Sequence, residues 1–192
     1  MKKKILSMLC GVLVLGALTG CGNNNATTGN GGDVSGGGAS TNTKGNCTAV
    51  ECIKKINPEH TVEQINNIIG FEGELLDEKY QKYYWELSED TGVQVAYYSS
   101  SKGQISIDYD RDSLANNKVD FSRYSELKAK IEGTDGITYN DFITYIGNVQ
   151  GTVIEKSSYS TKYVWVASDG SYLNGSFSSS SGKCTFASGM IK

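Results

Sequence analysis

Apolar residues recur at helical spacing in two short stretches, 61–70 and 138–147. Val62, Ile65, Ile68 and Ile69 share one face of the first, and Tyr139, Phe142, Ile143 and Ile146 one face of the second. Both stretches start with threonine and end in Ile-Gly. Thr61 with Gln64 fits a capping box, and Thr138 with Asp141 a looser version. Gly70 and Gly147 tolerate the left-handed conformation that ends many helices. A shorter helical run precedes each: residues 48–56, and residues 122–132, where Leu127 and Ile131 share a face.

After each helix pair the apolar period changes from helical to alternating. "YYWEL" at 83–87 matches "YVWVA" at 163–167. Tyr83, Trp85 and Leu87 share one face, as do Tyr163, Trp165 and Ala167. This predicts that the tryptophans pack under the helices. Turns follow at 88–92 and at Ser168-Asp169-Gly170, where Asp-Gly between alternating residues is a strong hairpin signal. Then "YSSSKGQIS" at 98–106 is echoed by "FSSSSGKCT" at 177–185. The serines are expected to be hairpin punctuation, with hydroxyls bonded to nearby backbone. Ile105, Ile107, Cys184 and Phe186 are expected to join the core. Each unit therefore reads helix, helix, then about four antiparallel strands. The expected fold is α+β: two such tandem units sharing a core, helices on one face of the sheet and the other face open.

The N-terminus has another pattern. Lys2, Lys3 and Lys4 precede an apolar run at 5–18, which closes with Leu18-Thr19-Gly20-Cys21. Charge, length and small residues before a cysteine predict a lipoprotein signal at 1–20 and a lipidated Cys21. Residues 22–46 are glycine, asparagine, threonine and serine with almost nothing apolar, which predicts a flexible tether. The remaining boundaries follow: first repeat 47–109, connector 110–121, second repeat 122–192. The expected location is extracytoplasmic, with the chain held to the membrane through its lipid.

Composition narrows the function. The formal net charge is −3 and becomes −6 once the three signal lysines are set aside. No basic patch stands out, so nucleic acid is not an expected partner. Twelve tyrosines and one proline suit a sheet-rich domain.

Little points to catalysis. His60 is the only histidine and precedes a helix N-cap, a structural or solvent-facing place. The serine runs have no neighbouring base to activate a hydroxyl, and no G-x-S-x-G elbow is present. Asp108, Asp110 and Asp112 begin like a calcium loop, but Ser113 stands at its sixth position and Val119 at its twelfth, so a solvated acidic connector is expected. No metal, cofactor or enzymatic activity is expected. Three cysteines remain beyond Cys21: Cys47, Cys52 and Cys184. An odd count in an exported chain implies at least one free thiol or an intermolecular bond, and Cys47 and Cys52 could pair if Cys47 lies outside the first helix. Cys184 is expected to point inward as a small hydrophobe.

The order of the Thr…Ile-Gly helix, the Tyr-x-Trp strand and the aromatic-turn-Gly hairpin, each present twice, resembles the tandem-repeat family of the beta-lactamase inhibitory protein and the BLIP-like lipoproteins of Gram-positive bacteria. The resemblance covers nearly all of 47–192 and implies protein ligands. In the inhibitory protein one hairpin offers an acid to its target and another an aromatic. Here the first hairpin carries Glu89 and Asp90, and the second has no aromatic at its tip. The expected function is a non-catalytic protein-binding module, using the open face and hairpin tips to engage an extracytoplasmic protein. Candidate contacts are Tyr84, Glu89, Asp90, Val95, Tyr97, Val164, Val166 and Tyr172. A structural lipoprotein of the cell envelope is the alternative, and a wall hydrolase using a pair such as Glu86 and Asp108 a more remote one.

Overall fold

The computed structural model describes residues 44–98, 102–133 and 136–192. The expected signal at 1–20, the expected lipidation site Cys21 and the expected tether up to residue 43 lie outside the described residues, as do Ser99–Ser101 of the first serine turn. Among the described residues, four short helices and a nine-stranded sheet, antiparallel except for one short parallel pairing, make an α+β domain, with the helices packed on one face. In chain order the helices are α1 (Ala49–Lys55), α2 (Val62–Ile69), α3 (Tyr124–Glu132) and α4 (Tyr139–Thr144). The strands are β1 (Glu74–Asp77), β2 (Lys82–Glu86), β3 (Gly92–Ala96), β4 (Gln104–Asp108), β5 (Ala115–Asn116), β6 (Thr152–Lys156), β7 (Ser160–Ala167), β8 (Tyr172–Ser178) and β9 (Cys184–Met190). The sheet runs β1-β2-β3-β4-β6-β7-β8-β9, so the order α-α-β-β-β-β occurs on each side of the β4/β6 seam.

The helix ends follow local chemistry. Thr61 accepts from the Gln64 amide while the Gln64 side chain reaches back to the Thr61 amide, and Gly70 closes α2 at φ 100°. Thr48 and Glu51 build an equivalent box on α1. Thr138 caps α4 through the Asp141 amide, and the reversal follows at Gly147 (φ 84°) and Asn148 (φ 57°). Cys47 does lie before the N-cap of α1, and it is joined to Cys52 by a disulfide. Lys44 donates its amide to Leu87 and Asn46 donates to Ile69.

Both tryptophans are core, as their alternation predicts. The Trp85 indole nitrogen donates to Asn66 Oδ1 on α2 at 2.9 Å. Trp165 stacks on Phe142 of α4 and donates to the Val149 carbonyl. Each lies over a glycine. A Cβ on Gly73 would sit 2.4 Å from the Trp85 ring, and one on Gly151 2.7 Å from the Trp165 ring. Ile65, Ile69, Leu87, Ile105 and Ile107 complete the first core, and Leu127, Ile146, Leu173, Phe177 and Cys184 the second. The seam pairs only Ile105 with Lys156 and Ser106 with Glu155. Gln104 bonds Glu155 across it, and Lys156 Nζ reaches the Ile56 carbonyl at the end of α1.

Three expectations about the faces need correction. Val95 and Tyr97 lie on the helix side. Trp85 pairs with Val93 and Tyr83 with Val95, so the apolar alternation of β3 continues that of the tryptophan. Val95 is 1% exposed, and the Tyr97 hydroxyl donates to the His60 carbonyl. Phe186 is not core but 56% exposed. Ser176 pairs with Phe186 while Phe177 pairs with Cys184, so one extra residue in β9 shifts its phase between them. Val164 and Val166 do face away from the helices, yet each is only 2% exposed. The connector explains this. It forms a 3-10 turn at Asp112–Leu114, and β5 then lies parallel to β7 beside Val166 and Ala167, beyond the start of β6. Tyr109, Leu114 and Tyr172 pack against the cluster to which the two valines belong, which removes from water an apolar stripe that a solvated face would leave exposed.

The serine turn behaves as expected where it is described. Ser178 Oγ accepts from the amides of Ser180 and Ser181, and the Gly182 amide donates to the Ser178 carbonyl.

Candidate functional site on the open sheet face

The face turned away from the helices divides into two halves. On the first, register aligns Glu86, Gly92 and Asp108 across three strands. Gly92 leaves a gap in this row, and the Tyr84 ring fills it: a Cβ on Gly92 would meet the Tyr84 hydroxyl at 2.3 Å. The Asp108 carboxylate lies beside that hydroxyl. Burial, and then the Asp108 carboxylate, hold the Tyr84 phenol above its ordinary pKa. Lys44 pairs with Glu86 at 2.9 Å, both side chains well exposed.

Glu89 and Asp90 are exposed at the tip of the β2–β3 turn. The turn is held by the Leu87 and Ser88 amides, which donate to the Thr91 carbonyl, and by a 2.6 Å contact between the Ser88 and Thr91 hydroxyls. Asp90 also lines a hollow of about 300 Å³ with Ile107, Asp108, Tyr109 and Arg111. The fold therefore gathers Tyr84, Glu86, Glu89, Asp90 and Asp108 at one end of the sheet. Of the three acids spaced at 108, 110 and 112, Asp108 faces Tyr84 from the end of β4, and Asp110 accepts from the Asp112 amide to start the 3-10 turn.

On the second half Tyr172 is half-buried. The Arg111 guanidinium lies 3.9 Å from its ring centre, a contact worth about 0.5–1 kcal/mol at such partly exposed sites. Burial raises the neighbouring Tyr109 phenol, with Arg111 acting against it. Tyr172 is thus gathered with the acidic end through Arg111, whereas Val95 and Tyr97 are inside and Val164 and Val166 are roofed. Sequence reasoning missed Arg111 and Tyr109. Their alternation with aspartates resembled a solvated connector, although two large side chains there signal a segment with something to cover.

A larger hollow of about 430 Å³ lies between residues 117–122, the β7–β8 turn and the C-terminal Ile191 and Lys192. Its acids are engaged locally. Asp120 accepts from the Ser122 amide and hydroxyl, and Asp169 likewise from Ser171. These bonds hold both carboxyls below their ordinary pKa.

No family model, no curated protein and no solved structure matches this chain. The fold places it in the broad class of α+β domains with helices on one face of an open antiparallel sheet.

Proposed function

We propose that this chain is an extracytoplasmic lipoprotein, anchored through Cys21, whose folded part binds a protein without catalysing a reaction. The binding surface is the acidic end of the open face with the adjoining hairpin tip. The observation that carries this is the convergence of Tyr84, Glu86, Glu89, Asp90 and Asp108, from two strands and a turn, on a face that no helix among the described residues covers. Clustered carboxylates beside a half-buried phenol suit a basic segment of a protein partner: the acids attract it, and the ring offers apolar area at low entropic cost.

Two further readings accompany this one. The Cys47–Cys52 disulfide supports export, because such bonds persist in oxidising compartments. The two helix-helix-four-strand halves are read as tandem copies of one unit, as in BLIP-like lipoproteins. The glycine under each tryptophan and the threonine cap on α2 and α4 support this.

The test is capture from envelope extracts on the immobilised full chain. A partner retained by the parent and lost by Glu89→Lys/Asp90→Lys is expected, with both chains melting alike because the tip is solvent-exposed. No enriched protein across several extracts, or a partner held equally by the variant, overturns the proposal.

A further inference from the structure

The two edges of the sheet are built differently. β1 is four residues long, carries Glu74 and Asp77, and has a register irregularity between Leu75 and Asp77. Short length, charge and irregularity are the usual means of blunting an edge. β9 has none of the charge or proline that would do so: its seven residues are CTFASGM. Its first part is capped, because the Cys184 amide donates to the Ile137 carbonyl at 2.7 Å and Lys183 bridges Thr138. Beyond that, among the described residues, no strand lies outside 186–190. Phe186 and Met190 both face the open side, 56% and 48% exposed, with Ser188 between them.

We propose that β9 is a self-association edge: two copies pair antiparallel through residues 186–190, on a two-fold axis passing by Ser188. Ser188 is the midpoint of the uncapped segment. A two-fold axis there sets Phe186 of each copy directly opposite Met190 of the other, on the same face. Each exposed ring then gains a thioether neighbour, a favourable cross-strand pair. No charged side chain in the ladder opposes it. The arrangement is isologous, so it uses both β9 edges and closes at two chains. The axis stands perpendicular to the sheet, and both open faces point the same way. If the open face is the binding surface proposed above, the dimer presents it twice. The pairing itself does not depend on that proposal.

Five paired residues a side bury less than the roughly 1,200–2,000 Å² of stable interfaces. The dimer is therefore a concentration-dependent equilibrium. Sedimentation of the full chain in detergent, from about 10 μM to about 1 mM, covers such weak affinities. The parent should shift from monomer to dimer across this range. Phe186→Lys/Met190→Lys should stay monomeric with unchanged melting, and Phe186→Lys/Met190→Glu should dimerise again, because opposite charges then face each other. Facing Cα atoms in such a ladder lie about 4.5–5.5 Å apart, within disulfide reach. Ser188→Cys should therefore cross-link under mild oxidation well before Glu86→Cys, which lies on β2 near the other edge. A parent that stays monomeric throughout, a double-lysine variant that dimerises like the parent, equal cross-linking by the two cysteine variants, or growth past the dimer would each overturn the proposal.

Discussion

Replacing Gly73 by alanine tests how the first core is built. Gly73 has no left-handed φ, so the substitution adds a methyl without backbone strain. The new Cβ would lie 2.4, 2.7 and 2.8 Å from three carbons of the Trp85 indole, against an ordinary contact of about 3.5–4.0 Å. The ring must therefore move by about 1 Å in a site where Trp85 is fully buried, and overpacking of this kind costs about 1–3 kcal/mol. Trp85→Phe acts in the opposite sense. It vacates the outer indole carbons and removes the donor to Asn66, which still accepts from the Gly73 amide at 3.1 Å. One neutral hydrogen bond and a small cavity together cost about 2–3 kcal/mol. In the double variant the methyl enters the vacated space. Gly73→Ala/Trp85→Phe should then be no less stable than Trp85→Phe alone, a coupling equal to the overpacking cost, about 1–3 kcal/mol. Urea unfolding followed by far-UV circular dichroism measures all four chains of the cycle. Additive losses would refute the claim that this glycine is there to admit the indole. Gly182→Ala is the control. Nothing lies within 4 Å of its Cβ, and its φ of +66° predicts only a backbone cost of about 1 kcal/mol, uncoupled to either tryptophan.

Burial raises the phenols of Tyr84, Tyr97, Tyr109, Tyr139 and Tyr163 above the ordinary value of 10.0. Unfolded tyrosines ionise first, so this stabilisation is complete below about pH 10 and lost as pH rises through the folded values. Phenolate absorbance and circular dichroism should change together in alkali, and full ionisation at the ordinary pKa with dichroism unchanged would contradict this. Replacing Cys47 and Cys52 by serine should cost about 2 kcal/mol, since the loop they close is short; urea midpoints that coincide with the parent's would show that the bond adds nothing. Cys21→Ala should leave the exported chain in the aqueous phase of a detergent partition, and unchanged partitioning would remove the lipid from the proposal.

Local features of the chain determined the elements themselves. The caps at Thr61 and Thr138, the glycine after α2 and the face of Trp85 and Trp165 each depend on residues a few positions apart, so spacing alone reveals them. The phase of β3 needed one more step: Gln94, its one polar side chain, marks the solvent side and places Val93 and Val95 with the tryptophan. Phe186 was not accessible in this way, because a single extra residue in β9 reverses every later side chain and leaves no mark on composition. Only the tertiary structure decided what covers Val164 and Val166. Alternation shows that they oppose Trp165, but not that Tyr109, Arg111 and Leu114, fifty or more positions earlier, fold over that face. The same holds for the acidic end of the sheet. Glu86 and Asp108 face each other across Gly92 because three strands pair in one register, and pairing between distant segments is a property of the assembled sheet that short-range periodicity does not encode.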